Sequence, residues 1–208
     1  MTSTIYLIRH GETVWNRIGR LQGQLDAPLT HVGLAQAHAI GRDLKDLLNG
    51  AAPTMVASPL GRTRQSAAII AEHLEIDFDT IAMDPRLMEI TLGEHDGYPG
   101  WAAIDRDHPH LAEERRRDPW NFRHPGGESS QMVQDRVRPV VEALKATSGT
   151  HVVVAHGVVN KIVRGLYLGL TPEQTFALDR PQNAYFRLEA GTEARIEVEV
   201  EATASQAI

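Results

Sequence analysis

Two runs of apolar residues stop abruptly at His-Gly: Ile5-Tyr6-Leu7-Ile8-Arg9-His10-Gly11 and Val152-Val153-Val154-Ala155-His156-Gly157. A short apolar run halted by glycine reads as a buried strand that ends in a tight turn. In an open α/β sheet, ligands bind at the carboxyl ends of such strands. A neutral imidazole is a competent nucleophile near pH 7, because its unperturbed pKa is about 6.5. Two imidazoles at two such ends, one preceded by the permanent charge of Arg9, suggest a site that holds and attacks a phosphoryl group.

The elements that must position these residues alternate between strand and helix. Residues 4–9 read as a strand. Thr30 caps an expected helix over 31–48, where Leu34, Ala37, Ile40, Leu44 and Leu47 recur at helical spacing. Thr54 to Ala57 reads as a short strand. Ser58-Pro59 then reads as a helix start, with Ser58 at the N-cap and Pro59 at the first helical position, and the helix runs to about His73. Residues 78–82 are expected to form a third strand. A long helix is expected from Ser129 to Ala146, with a kink or a boundary at Pro139. A strand over His151–Ala155, a helix over Val158–Leu168, and two strands over 184–188 and 194–200 joined at Gly191 complete the order. The last eight residues are expected to be disordered.

This alternation predicts a single α/β domain over residues 1–208, a three-layer α/β/α sandwich with a mostly parallel mixed sheet. The closing hairpin supplies the antiparallel part. Between Pro85 and Gly127 the periodicity gives way to Pro, Gly, Trp, His and Arg, with room for two short helices. Residues 85–127 therefore read as an irregular excursion over the sheet, a lid or specificity loop.

Composition narrows the function. Among 208 residues there is no cysteine, which removes disulfides, thiolate catalysis and Cys-based zinc sites. A net charge of −6 with no strongly basic stretch argues against nucleic acid as a partner. No apolar run is long enough to span a bilayer, and no signal-peptide pattern opens the chain, so the expectation is a cytoplasmic protein. There is neither a phosphate-binding Walker loop nor a His-Glu-x-x-His zinc motif, and no metal and no cofactor are expected. His108-Pro109-His110 lacks a third ligand nearby in sequence. It is left without a role, as are His31, His38, His73, His95, His124 and His151.

The opening Leu7-Ile8-Arg9-His10-Gly11-Glu12-Thr13 resembles the signature of the histidine phosphatase superfamily, also called phosphoglycerate-mutase-like. The resemblance continues through Asn16 and Gln22-Gly23-Gln24-Leu25-Asp26-Ala27-Pro28-Leu29-Thr30. It resumes at Ser58-Pro59-Leu60-Gly61-Arg62-Thr63-Arg64-Gln65-Ser66-Ala67, at Leu87-Met88-Glu89 with Gly93 and Gly97, at Pro125-Gly126-Gly127-Glu128-Ser129, and at Ala155-His156-Gly157. It implies that His10 is the nucleophile, forming a phosphohistidine. Arg9 and Arg62 would grip the phosphoryl oxygens, as guanidinium forks do. His156 would donate to the phosphoryl group and stabilise the transition state. Glu89 would protonate the leaving oxygen and then help water attack, with Glu94 and Asp96 as weaker candidates. Asn16, Gln22, Gly23 and Gly157 would line the pocket, and Arg64 would point elsewhere.

The resemblance also bears on the branch. Mutases of this superfamily carry a longer stretch between the acid and the second histidine, and here residues 90–155 number 66. Mutases usually place Asn after the second His-Gly and Tyr three residues after the acid, where this chain has Val158 and Leu92. Arg115-Arg116-Arg117 points the other way, towards the arginine pair that holds a mutase's substrate carboxylate. The same triplet also reads as a solvated helix face balanced by Glu113, Glu114 and Asp118. The expected activity is a phosphomonoesterase on a small phosphorylated metabolite. The alternatives are a cofactor-dependent phosphoglycerate mutase and a binding module that recognises phosphorylated ligands without turnover. Oligomeric state is not readable.

Overall fold

The computed structural model describes residues 3–200. Its strands are β1 (Ser3–Arg9), β2 (Thr54–Ala57), β3 (Ala82–Met83), β4 (Gly149–Ala155), β5 (Ala184–Glu189) and β6 (Thr192–Glu197). They form one sheet in the order β3-β2-β4-β1-β5-β6. β1, β4, β2 and β3 run parallel, and the β5–β6 hairpin lies antiparallel beside β1. The sheet is thus mixed and mostly parallel at its centre, as expected.

The helices are α1 (Val14–Arg17), α2 (His31–Leu48), α3 (Gly61–His73), α4 (Trp101–Asp107), α5 (Pro109–Arg117), α6 (Ser130–Ala146), α7 (Gly157–Leu168) and α8 (Pro172–Ala177). Alternation along β1 sends Ile5 and Leu7 to one face of the sheet and Tyr6 and Ile8 to the other. The first pair joins Val137 and Val141 of α6 and Val159 and Val163 of α7. The second joins Ile40 and Leu44 of α2 and Ala67 and Ile70 of α3. Both faces of the central strands are covered, which is why β1 and β4 read as unbroken apolar runs. Among the described residues, no helix is long and apolar enough to cross a membrane.

Several boundaries depart from the sequence expectation. α3 begins at Gly61, and Ser58-Pro59 stay outside it, so Ser58 is not its N-cap. Its first amides are capped by a remote carboxylate: Asp26 accepts from the N–H of Gly61 and, at 3.2 Å, from that of Arg62. Residues 78–80 form a 3-10 turn, because the Asp77 carboxylate accepts from Asp79 N–H and bends the chain. Only Ala82–Met83 then pair with β2. β6 starts at Thr192, directly after a hairpin turn in which Ala190 and Gly191 both have positive φ.

α6 runs on through Pro139 with no boundary there. Pro139 and Asp135 lie on its exposed face, so water can serve the Asp135 carbonyl that loses its donor. Helices α1 and α8 are additions to the expected order. The final eight residues lie outside those described.

One close approach fixes the turn after β1. A Cβ on Gly11 would meet the carbonyl of Gly33, and one on Gly33 would meet the backbone of Glu12, both well inside contact distance. Neither backbone can swing aside, since Thr30 N–H also bonds Glu12 O at 2.8 Å. Gly33→Ala is expected to lower stability by about 1–3 kcal/mol, because the clash outweighs the roughly 1 kcal/mol that alanine gains in a helix. Urea denaturation measures it, and an unchanged midpoint would show that the contact is not a constraint.

Candidate active site

β1 and β4 are parallel neighbours in a register that pairs Arg9 with Ala155. The next residue on each strand is a histidine, and His10 N–H extends the ladder to Ala155 O at 3.1 Å. The two imidazoles therefore emerge side by side, with ring centroids 5.2 Å apart and planes at 62°. β2 ends beside them, where Ser58 N–H bonds Val154 O at 3.0 Å and Ser58 Oγ lies 2.7 Å from His156 Nε2.

His10 is buried, and its Nδ1 lies 2.8 Å from Gly11 O. A carbonyl only accepts, so Nδ1 carries the proton and Nε2 the lone pair. Arg62 Nε donates to that lone pair at 3.3 Å. Burial holds the His10 pKa well below its usual 6.5, and the charges of Arg62 and Arg9 push it the same way. The bond to Gly11 opposes them weakly. His156 is held low first by burial and then by Arg62, His10, Arg9 and Arg136. Both rings are neutral at pH 7. Ser58 Oγ also accepts from Leu60 N–H at 3.4 Å. When the Ser58 hydroxyl donates to Nε2, the hydrogen of His156 sits on Nδ1, which has no partner.

Arg62 is buried at the start of α3 and bound on most sides. Nη1 donates to Leu25 O at 2.8 Å and Asp26 Oδ1 at 3.2 Å, and Nη2 donates to Gly23 O at 2.8 Å. With Nε on His10, one N–H of Nη2 remains uncommitted. Burial lowers its pKa, and Glu89 and Asp26 oppose the shift. Arg9 Nη1 donates to Arg180 O at 2.6 Å, and its Nε is buried without a partner. Burial, with Arg180 and Arg62 nearby, lowers Arg9 to about 10 against the pull of Glu89, so it stays charged at neutral pH. A Cβ on Gly157 would sit 3.1 Å from Arg180 Cδ and 3.4 Å from Arg9 Nε, so glycine there admits both arginines.

Arg9, His10, Asn16, Gln22, Gly23, Arg62 and Glu89 line one cavity of about 380 Å³. His156 is fully buried against His10. Glu89 is fixed by two backbone amides: Oε1 accepts from its neighbour Ile90 at 3.0 Å and Oε2 from Val158, at the start of α7, at 3.2 Å. Asp96 is occupied with Leu92 N–H, Thr91 Oγ1 and Gln24 N–H, and Glu94 is exposed outside the cavity. Asn16 caps α1 from within and donates to Gln22 Oε1 at 3.3 Å, which leaves Gln22 Nε2 buried and unpartnered. Arg64 faces away and lies 5.3 Å from the Phe78 ring centroid.

The structure also adds residues. Ser58 Oγ is bonded to His156 Nε2. Gln182 Nε2 bonds His10 O at 3.1 Å and Asn16 Oδ1 at 3.2 Å, and Arg180 lines the cavity. A strand-end rule could have found Ser58. Nothing local marks Arg180 or Gln182. The arginine triplet divides: Arg116 and Arg117 are exposed, whereas Arg115 turns inward to Asp105 at 2.7 Å and stacks on Trp101. Its balance is thus Asp105 rather than Glu113, Glu114 or Asp118. Among the described residues, no cluster of three or more His, Asp or Glu side chains is arranged to hold a metal ion.

The chain is similar to several known proteins. A protein named probable phosphoglycerate mutase GpmB from Yersinia pestis is 35% identical over 171 residues, 80% of this chain and 75% of that protein. The mycobacterial glucosyl-3-phosphoglycerate phosphatase Rv2419c, solved with VO3, is 29% identical with a TM-score of 0.75, covering 95% of this chain and 98% of that one. YhfR of Bacillus stearothermophilus is 28% identical with a TM-score of 0.77, covering 95% and 96%. A putative alpha-ribazole-5'-P phosphatase from Escherichia coli shares the fold, with a TM-score of 0.80 at 20% identity over 96% and 97%. The model of the histidine phosphatase superfamily (branch 1) matches residues 5–201, and this chain belongs to that superfamily.

Proposed function

We propose that this protein is a phosphomonoesterase that works through a phosphohistidine at His10 Nε2 on a small phosphorylated metabolite. The observation that carries the reading is a set of buried nitrogens around one lone pair. Arg9 Nε, Gln22 Nε2 and His156 Nδ1 are all buried without partners near His10. Each stranded donor costs about 1–3 kcal/mol, and a phosphoryl group, with its several acceptor oxygens, would satisfy them together. The spare N–H of Arg62 Nη2 adds a fourth donor.

The chemistry proceeds in two steps. His10 Nε2 attacks phosphorus as the ester P–O bond breaks, and Glu89 gives its proton to the departing oxygen. Nδ1–H stays bonded to Gly11 O and supports the positive charge that the ring then carries. Water next attacks phosphorus, Glu89 takes the water's proton, and the N–P bond breaks to release phosphate. Arg9, Arg62 and His156 stabilise the charge on the phosphoryl oxygens in both steps. The phosphatase names of the solved relatives, together with Leu92 and Val158 in place of mutase residues, favour transfer to water. The name of the curated relatives keeps a mutase reading open, and primer-dependent isomerisation of 3-phosphoglycerate would establish it instead.

Denaturing at alkaline pH during turnover should trap a phosphoryl group on His10 by mass spectrometry, and His10→Ala should abolish both the adduct and turnover. An adduct on His156 would reverse the two roles. Glu89→Gln should slow single-turnover phosphorylation of His10 by about a hundred- to ten-thousand-fold for an alkyl phosphate. It should do so far less for p-nitrophenyl phosphate, whose anion leaves without a proton, and equal losses would reject Glu89 as the acid. Because His10 and His156 are held well below 6.5, neither ring should titrate between about pH 7.5 and 6 in a nitrogen-15 NMR titration of the imidazoles. The unfolded imidazoles do take up protons there, so stability should fall as pH drops through about 6.5. Titration of the folded protein's His10 near 6.5 would contradict the neutral nucleophile.

A further inference from the structure

A second cavity of about 370 Å³ adjoins the first. Ile90, Leu92, Trp101, Val158 and Arg180 are walls of both. Beyond them, its surface comes from Trp120 and Phe122 of the excursion, Ile162 of α7 and Phe176 of α8. Several polar groups on its wall have partners, and Arg180, Ser130 and Thr175 also reach it. Arg115 Nη2 donates to Asp105 at 2.7 Å, and its guanidinium lies 4.5 Å from the Trp101 ring centroid. Lys161 donates to the Phe176 carbonyl and lies over that ring, and Glu128 is held by Arg136 at 2.8 Å. Two buried nitrogens have no partner, Arg115 Nη1 and His124 Nε2.

We propose that this chamber receives the alcohol part of the substrate, and that the preferred alcohol is an aromatic or branched hydrocarbon, not a polyhydroxylated one. The inference rests on the phosphomonoesterase reading, which fixes where the phosphoryl end lies. The shared walls make the chamber the continuation of the phosphoryl pocket. Its aromatic and aliphatic lining rewards removal of apolar surface from water. A sugar placed there would set most of its hydroxyls against hydrocarbon, where the hydrogen bonds they make in water are lost.

The test compares phenylphosphonate with 2-naphthylphosphonate, which bind but are not hydrolysed, by isothermal titration on the full chain. The matching phosphates and glycerol 3-phosphate are then compared by kcat/KM. The second ring should tighten binding by about tenfold or more, and 2-naphthyl phosphate should be the best of the three substrates. Phe122→Ala/Phe176→Ala should cut the naphthyl advantage to about threefold or less. Phe176→Ala alone, at a residue 52% exposed, reports the same loss in part if the double variant fails to fold. Equal binding of the two phosphonates, an advantage untouched by the variants, or a preference for glycerol 3-phosphate would each overturn the proposal. Naphthyl-selective binding without turnover of any phosphate would leave the chamber standing and sink the phosphatase reading.

Discussion

The site depends on one backbone fact, the in-register parallel pairing of β1 with β4. Pairing Arg9 with Ala155 makes the next two residues, His10 and His156, neighbours at the carboxyl end of the sheet. A slip by one residue would turn each side chain to the opposite face. Register is therefore held by the core: Ile5, Leu7, Val153 and Ala155 must all meet α6 and α7, while Tyr6, Ile8, Val152 and Val154 meet α2 and α3. Hydrophobic packing on both faces thus positions two imidazoles whose chemistry is polar. The flanking glycines let the chain turn and let other elements close in, Gly33 against Glu12 and Arg9 against Gly157.

Electrostatics then sets the state of those rings. Burial and two arginines disfavour further positive charge, so both imidazoles stay neutral. Arg62 does more than present charge. Its donors gather Gly23 O, Leu25 O and Asp26, and Asp26 in turn caps the helix that carries Arg62. The loop and the helix are mutually locked, and that lock aims Nε at the lone pair of His10. Because most of its N–H groups face protein, Arg62 contributes to the cavity as a fixed positive charge more than as a free bidentate fork.

Local periodicity and punctuation made the sheet, its two flanking pairs of helices and the His-Gly strand ends legible in the sequence. Thr30 caps its helix as the pattern suggests, and the helix expected from Ser129 starts at Ser130 with Ser129 as its cap. The features that were not legible depend on distant partners. Ser58-Pro59 looks like a helix start, yet Ser58 serves His156, 98 residues away, and the helix takes its cap from Asp26. The strand over 78–82 fails because an Asp77 turn competes with β pairing. α8 carries a readable capping box from Thr171 to Gln174, but at six residues it is too short for periodicity to expose. Among site residues, His10, Arg9, Arg62, Gln22 and Glu89 do converge. Gln182 and Arg180 sit in a segment without pattern, and only the folded chain brings them to His10 and Arg9.

The excursion over 85–127 has a clamped part and a wall-forming part, and the division has consequences for both. Near its start the chain is clamped twice. Arg136 on α6 bonds the carbonyls of Arg86 and Glu89 as well as Glu128, and Asp96 binds Thr91, Leu92 and Gln24. Those clamps fix Glu89 against Val158 without help from α4 or α5. Beyond Asp96, α4, α5 and the turn through Phe122 contribute chamber walls and hold together through Arg115, Asp105 and Trp101. Glu89 and the chamber walls thus occupy consecutive stretches of one connection with separate supports. Substitutions in the second stretch can reshape the chamber while Glu89 stays in place.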